Sequence, residues 1–291
     1  MSEKIYFNTS NKFSVKKSLV GLGTGAFHLI APKQAKQKAK KLLLTPVRMT
    51  PKNEEPAEMR IDQVETGEGL LTRYQLGQGP AWILTHGWSG SSNQYVPLME
   101  HIAAQGFTAI AYDHPGHGKS DGIYGSIPAF VAGLEGIIDA TEQEVVGVVG
   151  HSMGTASALE CRHERIANVP MLLIAPVLNY IENLFGSIER SGFSMRLFKA
   201  VVSDIEHQYH YPLHTVDPYN KLGARIAQTI IVHDEADKFA KYSVSQQADQ
   251  EMKYVELVSV QGQGHGRVMK CSQVMESFDR LAKTINLAKT I

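Results

Sequence analysis

Short apolar runs alternate with longer segments of helical periodicity from about residue 61 onwards. Two runs, Ile61–Glu65 and Leu70–Leu76, flank a turn that contains Gly67 and Gly69, which predicts a pair of adjacent strands. Continuous apolar runs of the buried-strand type follow at Ala81–Thr85, Phe107–Tyr112, Val145–Val149, Met171–Ala175, Thr229–His233 and Tyr254–Val260. Helices are predicted between or after them, at about residues 93–105, 127–142, 153–166, 219–227, 243–252 and 268–287.

Strands that alternate with helices are joined by right-handed crossovers, so the pattern predicts an α/β fold with a mostly parallel sheet of about eight strands. The alternation pauses between residues 177 and 217, where short helical patterns mix with aromatic residues and histidines. Forty residues are too many for an ordinary loop. We therefore expect a short cap inserted over the carboxyl edge of the sheet, between core segments 61–176 and 218–291.

Residues 1–60 form a separate basic segment. Residues 1–10 are predicted to be unstructured, and a helical pattern runs from about residue 12 to 44, with breaks near the glycines at positions 21, 23 and 25 and at Pro32. Three prolines in residues 45–58 indicate a linker. The segment holds 12 Lys and Arg against 4 acidic residues. Such an arm either lies peripherally on an anionic membrane or a partner, or packs on its own domain with its lysines in water, and we favour the second.

Composition narrows the compartment and the partners. No run reaches the roughly 18 apolar residues that span a bilayer. The nearest, residues 18–31, contains His28 and lacks a following cleavage site, so a cytoplasmic protein is favoured over a secreted one. Cys161 and Cys271 show neither a disulfide framework nor a metal spacing. The body beyond residue 60 is acidic, and we expect no nucleic-acid partner.

The strongest chemical signal lies where the run Val145–Val149 meets a helical pattern. Gly150-His151-Ser152-Met153-Gly154 is a Gly-x-Ser-x-Gly sequence between a predicted strand and a predicted helix. In a nucleophile elbow the serine occupies a strained turn, and side chains at the two glycine positions would collide with the strand and the helix. The sequence therefore predicts a nucleophilic serine at position 152.

Further motifs follow other predicted strands, at the sheet edge where ligands bind in open α/β folds. They are His86-Gly87-Trp88, the Asp-x-Pro-Gly-x-Gly-x-Ser turn at 113–120, the acidic group Asp234-Glu235-Ala236-Asp237, and Gly264-His265. With the elbow, these motifs make the chain resemble an α/β-hydrolase-fold protein with a serine nucleophile, of the esterase and lipase kind, over about residues 61–285. The order Ser, Asp, His along the chain agrees with that family.

The resemblance implies a role for each matched residue. Ser152 would be the nucleophile, His265 the general base and Asp237 the acid that orients the imidazole. The backbone N–H groups of Trp88 and Met153 would form the oxyanion hole. No cofactor and no metal are implied.

The acid has an alternative, because Asp234 also follows the strand. The family pattern is His-Gly-x-x-Asp, whereas this chain has Asp234 on the usual glycine position and lacks the usual Val-Pro after the acid. Asp237 falls on the acid position and is preferred.

Other histidines and aromatic residues have competing interpretations. We expect Trp88, His86 and His151 to border a substrate pocket, although His86 is also a candidate organiser of its own loop. His114 and His117 are expected to fix the turn in which they lie. A zinc site at His207, His210 and His214 is disfavoured, because no second ligand motif accompanies them. Aromatic side chains of the predicted cap would form an apolar acyl pocket or pack the cap onto the core.

The leading hypothesis is a serine hydrolase that cleaves an ester or related acyl bond of a small to medium, partly apolar substrate. Carboxylesterase, lipase and thioesterase activities are not separated by these residues, and an aminopeptidase-like or carbon–carbon bond hydrolase remains an alternative. A non-catalytic small-molecule receptor on the same fold is a second class, disfavoured by the intact Ser152, Asp237 and His265.

Overall fold

A computed structural model describes residues 15–288. The predicted unstructured start, residues 1–10, lies outside the described residues, as do the first positions of the predicted helical arm. Apolar runs produce one eight-stranded sheet in the order β1-β2-β4-β3-β5-β6-β7-β8. The strands are β1 (Arg60–Thr66), β2 (Gly69–Gly77), β3 (Ala81–Thr85), β4 (Thr108–Tyr112), β5 (Val145–His151), β6 (Met171–Ile174), β7 (Thr229–Asp234) and β8 (Val255–Val260). β2 pairs antiparallel with β1 and β4, and β3 to β8 are parallel. The predicted fold class is confirmed.

Helices cover both faces of the sheet and its carboxyl edge. They are α1 (Val15–Ile30), α2 (Pro32–Leu44), α3 (Val96–Ala104), α4 (Ile127–Asp139), α5 (Met153–Glu160), α6 (Glu164–Ala167), α7 (Tyr180–Ser191), α8 (Met195–Tyr209), α9 (Pro218–Gly223), α10 (Tyr242–Glu251), α11 (Gly264–Arg267) and α12 (Ser272–Ala288). Within residues 15–288, each helix is too short or too polar to serve as a membrane span.

Alternate side chains of the central strands enter two apolar cores, one on each face. Trp82 of β3 packs edge-on against Phe278 of α12, with ring centroids 4.9 Å apart. Its neighbour Ile83 enters the opposite core with Leu134 of α4. These two side chains on each face, Trp82 and Phe278 on one and Ile83 and Leu134 on the other, are fully buried, so the sheet is a rigid base for the loops at its carboxyl edge.

The insertion after β6 consists mainly of two well-formed helices, α7 and α8, rather than short helical patterns. α2 of the N-terminal segment packs against α8. The buried face of α2 carries Ala35, Ala39 and Leu43, which recur at the helical spacing of four. They share one apolar cluster with cap side chains Ile188, Phe193, Leu197, Phe198 and Val201. The cap layer is therefore built from both ends of the first 210 residues.

The expected break near the glycines at positions 21, 23 and 25 is wrong, because α1 continues through all three. The physical reason is close packing. A Cβ atom on Gly21 would lie 2.9 Å from the carbonyl oxygen of Gly192, at the turn between α7 and α8. The helix ends instead at Ile30, and Ala31 separates it from the helix that begins at Pro32, as the proline predicts.

Residues 45–53, which we term the strap, have no regular structure but are tied to the core by hydrogen bonds. The N–H of Val47 donates to the Ser89 hydroxyl at 3.0 Å. The Arg48 guanidinium donates to the carbonyls of His117 at 3.1 Å and Gly122 at 3.0 Å. Backbone N–H groups at 52 and 53 donate to the Asn93 side chain. The strap thus holds the loops after β3 and β4.

Candidate active site

Ser152 occupies the turn between β5 and α5, with a φ of 53° and a ψ of −123°. A positive φ is unusual for a residue with a side chain and marks local strain. A Cβ atom on Gly150 would lie 2.9 Å from the Thr155 Cα, and one on Gly154 would lie 2.2 Å from the Thr85 carbonyl oxygen. Only glycine fits at these two close contacts of the turn with the helix and the strand. This is the reason for the two glycines that was inferred from the sequence.

Three side chains that are distant in the sequence form one line of hydrogen bonds. His265, on α11 after β8, lies with Nε2 2.8 Å from Ser152 Oγ and Nδ1 2.7 Å from Asp237 Oδ2. An ionised carboxylate only accepts hydrogen bonds, so Nδ1–H donates to Asp237. Nε2 is then the acceptor that faces the Ser152 hydroxyl. This arrangement lets an imidazole remove a proton from an alcohol.

Asp237 is stabilised as a carboxylate. Burial on its own raises the pKa of Asp237, but hydrogen bonds from His233 and His265 outweigh burial and hold the pKa well below its ordinary value. Its second oxygen, Oδ1, accepts the backbone N–H groups of Phe239 at 2.7 Å and Ala240 at 3.1 Å. The side chain is fully buried. A fixed negative charge therefore lies beside the imidazole.

Asp234, the alternative acid, serves a different purpose. Its Oδ1 accepts the N–H of Ala236 at 2.8 Å and its Oδ2 accepts the N–H of Gln263 at 2.6 Å. These bonds join the loop after β7 to the loop that carries His265. Asp234 thus shapes the loops, and the structure brings Asp237 to His265.

The loop after β3 runs alongside the serine. A Cβ atom on Gly87 would lie 2.7 Å from the Ser152 Cβ. Trp88 follows it and borders the cavity described below. Met153 is the first residue of α5, and backbone N–H groups at a helix start point away from the helix without an intrahelical partner. Trp88 and Met153 therefore flank the serine on two elements.

The two histidines predicted to border the pocket, His86 and His151, are not among the residues that line the cavity described below. His86 is fully buried: its Nδ1 lies 2.8 Å from the Gly87 carbonyl, and its Nε2 accepts the His114 N–H at 3.1 Å. This geometry agrees with its alternative interpretation as a loop organiser. His151 lies behind His265, with Nε2 3.0 Å from the His265 carbonyl. Burial and the neighbouring His265 lower the pKa of His151 to about 3, so the neutral ring donates to that carbonyl and supports the loop of His265.

His114 and His117 lie where the sequence suggests, inside the turn after β4. His117 Nδ1 lies 2.9 Å from the Pro115 carbonyl, and its Nε2 accepts the Ser89 N–H at 3.1 Å. Burial is the main cause that lowers the pKa of both rings well below the ordinary value, and the neighbouring His86 lowers it further. Neutral imidazoles therefore connect the turn after β4 to the loop of Trp88.

A largely apolar cavity of about 160 Å³ adjoins Ser152 and His265. Its wall combines the core, the cap and the N-terminal segment. The lining side chains include Leu43, Leu44, Trp88, Ile127, Val177, Tyr180, Leu184, Phe198, Val201, Val202, Ile205, Tyr211, Leu213 and Phe239. Among the described residues that line it, Glu206 is the one carboxylate, and its Oε1 accepts the Leu213 N–H at 2.7 Å. The site can accept an apolar group next to the serine hydroxyl.

Sequence reasoning missed several residues of this site. His233 lies with Nε2 3.3 Å from Asp237 Oδ2 and Nδ1 2.8 Å from Ser245 Oγ, so it is a second donor to the acid. Its position at the end of a buried strand was the available signal. For Leu43 and Leu44 the sequence offered no signal of a role in the site, apart from an apolar end to a basic helix. Among residues 15–288, no group of three His, Cys, Asp or Glu side chains is arranged to hold a metal ion.

The sheet order, the strained serine turn and the loops at the carboxyl edge are those of the α/β-hydrolase fold. A model of the serine aminopeptidase S33 family matches residues 80–215. An uncharacterized protein of Mycobacterium tuberculosis is 32% identical over 105 residues, which cover 35% of this chain and 30% of that protein. Human monoglyceride lipase is 29% identical over 123 residues, 38% of this chain and 41% of the lipase. An esterase from Pyrococcus furiosus superposes with a TM-score of 0.62 at 18% identity, over 83% of this chain and 97% of the esterase.

The chain thus spans about a third of the length of the first curated relatives that it matches. The structural likeness shows the fold. The family model begins at residue 80, after α1, α2 and the strap.

Proposed function

We propose that this protein is a serine hydrolase that cleaves a carboxylic ester or related acyl bond through an acyl-enzyme on Ser152. The observation that carries the proposal is the line of hydrogen bonds from Asp237 through His265 to Ser152, at 2.7 and 2.8 Å, beside an apolar cavity. Similarity to human monoglyceride lipase supports the same class of reaction.

In the proposed reaction, His265 Nε2 takes the hydroxyl proton as Ser152 Oγ attacks the acyl carbon. The carbonyl oxygen becomes an oxyanion, for which the backbone N–H groups of Trp88 and Met153 are the candidate donors. Each donor of this kind contributes about 3 kcal/mol to the transition state in comparable hydrolases. His265 then protonates the leaving group, and Asp237 stabilises the imidazolium that forms in between. Water, activated by His265, releases the acid.

The cavity wall favours an apolar acyl or alkyl group. Its side chains are mainly leucine, isoleucine, valine and aromatic residues, and burial of such surface favours binding by about 25 cal/mol per Å². We therefore propose a small to medium, partly apolar acyl substrate, with no cofactor.

Labelling with a fluorophosphonate tests the nucleophile. We expect the wild-type protein to be labelled and Ser152→Ala to remain unlabelled. Ser187→Ala is the matched control, because Ser187 also borders the cavity and its hydroxyl accepts a hydrogen bond from Arg190; it should label like the wild type. A wild-type protein that reacts neither with the probe nor with p-nitrophenyl esters of any chain length would favour a non-catalytic receptor instead.

Kinetics test whether the groups act together. Ser152→Ala and His265→Ala should each lower kcat by around 10⁶-fold, and the double variant should lose little more, because both act in one proton-transfer unit. Losses that add in the double variant would contradict the proposal.

An aminopeptidase-like activity is the second candidate, favoured by the matched family model. Recognition of a substrate ammonium group needs an anion, and Glu206 is the carboxylate on the cavity wall. Turnover of aminoacyl p-nitroanilides that is lost in Glu206→Gln would support this candidate. Activity on acyl esters that is unchanged in Glu206→Gln supports the esterase.

A cytoplasmic location is also proposed. Its support is that Cys161 and Cys271 are both free thiols, as is usual in reducing compartments.

A further inference from the structure

Helix α1 is amphipathic, but its apolar side faces the solvent and its more polar side faces the protein. Five of its large apolar side chains are at least 64% exposed: Val15, Leu19, Leu22, Leu29 and Ile30. Together with the exposed Ala26 they form a set of six positions that we call the outer stripe; Val20, which is 38% exposed, lies outside it. At the rotation of an α-helix these six positions lie within an arc of about 100°. Leu22 is 71% exposed and Ile30 is 84% exposed. A surface helix of a globular protein normally turns such a stripe inwards.

The opposite side of α1 contacts the cap through small and polar residues and through Phe27, which packs against the apolar cluster shared by α2 and the cap. The Thr24 hydroxyl accepts the Ser194 N–H at 3.1 Å. Gly21 approaches the Gly192 carbonyl, and a Cβ atom on Gly25 would lie 3.8 Å from Ser194 Oγ. These contacts fix the orientation of the helix, and the outer stripe faces away from the protein.

Charge indicates what covers the stripe. Residues 15–44 contain seven lysines and no acidic residue. Lys33, Lys38 and Lys41 of α2 are exposed. A second copy of the chain placed on this surface would bring the two lysine sets together, whereas an anionic lipid surface attracts them. Apolar side chains flanked by lysines are the composition of helices that lie in a membrane interface.

We propose that α1 docks on an anionic lipid surface through its outer stripe, and that docking delivers an acyl lipid to the site. The second part rests on the proposed function. It is supported by continuity, because the segment that carries the stripe ends in Leu43 and Leu44, which line the cavity beside Ser152. One covalently continuous segment thus provides both the lipid-facing surface and part of the acyl pocket.

The test uses the full chain and sedimentation with vesicles of phosphatidylcholine alone or mixed with phosphatidylserine. We expect binding to the mixed vesicles, and a loss of about tenfold or more for Leu22→Gln and again for Leu29→Gln, because each removes a buried leucine from the lipid phase. Ile226→Gln is the matched control: Ile226 is 66% exposed but precedes β7 at the opposite edge of the sheet. It should bind like the wild type. Lys33→Gln with Lys41→Gln should weaken binding to mixed vesicles and reduce its dependence on salt.

Hydrolysis of a soluble short-chain p-nitrophenyl ester separates this proposal from the proposed function. Neither Leu22 nor Leu29 lines the cavity, so both variants should keep wild-type turnover, which also shows that they fold. Absent vesicle binding, or binding that Leu22→Gln and Leu29→Gln leave unchanged, overturns the docking proposal even if esters are hydrolysed. A dimer that dissociates in these variants without vesicle binding overturns it as well. Vesicle binding that depends on the stripe in a protein inert to esters leaves docking supported and refutes the hydrolase.

Discussion

Replacing Asp237 with asparagine tests the proposed acid, because the hydrogen bonds of Asp237 determine which way the asparagine amide will face. Oδ1 accepts two backbone N–H groups, from Phe239 and Ala240, so an asparagine keeps its carbonyl oxygen there. Its NH₂ group then takes the place of Oδ2 and faces His265 Nδ1. An amide nitrogen donates and cannot accept. The imidazole must therefore present Nδ1 as an acceptor and carry its proton on Nε2, towards Ser152.

The imidazole in that tautomer cannot remove the serine proton. The same exchange in a Ser-His-Asp hydrolase lowers kcat by about 10⁴-fold, which corresponds to about 5.5 kcal/mol in the activation free energy. We expect a loss of that size here. Folding should persist, because the asparagine has the same shape and retains both backbone hydrogen bonds.

Stopped-flow or steady-state hydrolysis of a p-nitrophenyl ester, with circular dichroism as the folding check, measures the effect. Asp234→Asn is the matched control: Asp234 ends β7 three residues before Asp237 and its side chain is also buried, but it bonds Ala236 and Gln263 rather than the imidazole. It should retain activity within about 50-fold of the wild type. Asp237→Asn within tenfold of the wild type, or Asp234→Asn as the more damaging change, would refute the reasoning.

Three further outcomes follow from the packing and charge of the site. Gly154→Ala places a methyl group 2.2 Å from the Thr85 carbonyl; such overpacking costs about 1–3 kcal/mol, so thermal denaturation should show a lower Tm, and an unchanged Tm would contradict the close approach. Leu43→Trp should narrow the acyl pocket and raise the kcat/KM ratio of butyrate over decanoate esters at least tenfold, whereas Lys41→Trp on the exposed side of the helix should not alter this ratio. Because the pKa of Asp237 is lowered in the folded state, the unfolded chain binds the proton more readily. The stability that the carboxylate contributes above its ordinary pKa of 3.8 should therefore be lost as the pH falls below that value, and the loss should be less steep in Asp237→Asn. Urea unfolding between pH 3 and 7 measures the difference between the two proteins.

The sheet and the elbow were predictable because local patterns determine them. Buried strands are continuous apolar runs. Gly150 is required by a contact within its own strand-turn-helix unit, and Gly154 by the approach of that unit to the end of the neighbouring strand β3. His265 and Asp237 could be selected because parallel strands end at one edge of the sheet, so residues after β7 and β8 must lie near residues after β5.

The course of α1 and the positions of two histidines depended on packing that the sequence does not display. From sequence alone, a glycine in a helical pattern indicates a break. Gly21 instead allows the helix to pack closely against the backbone of Gly192, which is far away along the chain. His86 and His151 lie next to motif residues, which suggested a pocket wall. Their rings instead turn into the protein to bond backbone groups. Side-chain direction at a turn is a tertiary property, and a linear pattern does not specify it.

The contact between Thr24 and Ser194 joins residues 170 positions apart. Helix α1 leaves the ribosome long before the cap helices on which it rests have been made. During that interval, the cap surface that contacts the helix and buries Ala35, Ala39 and Leu43 has not yet been made. Synthesis of this protein thus includes a period in which the apolar, positively charged segment of α1 and α2 is exposed without the cap, and chaperones or a nearby bilayer can bind it before the cap exists.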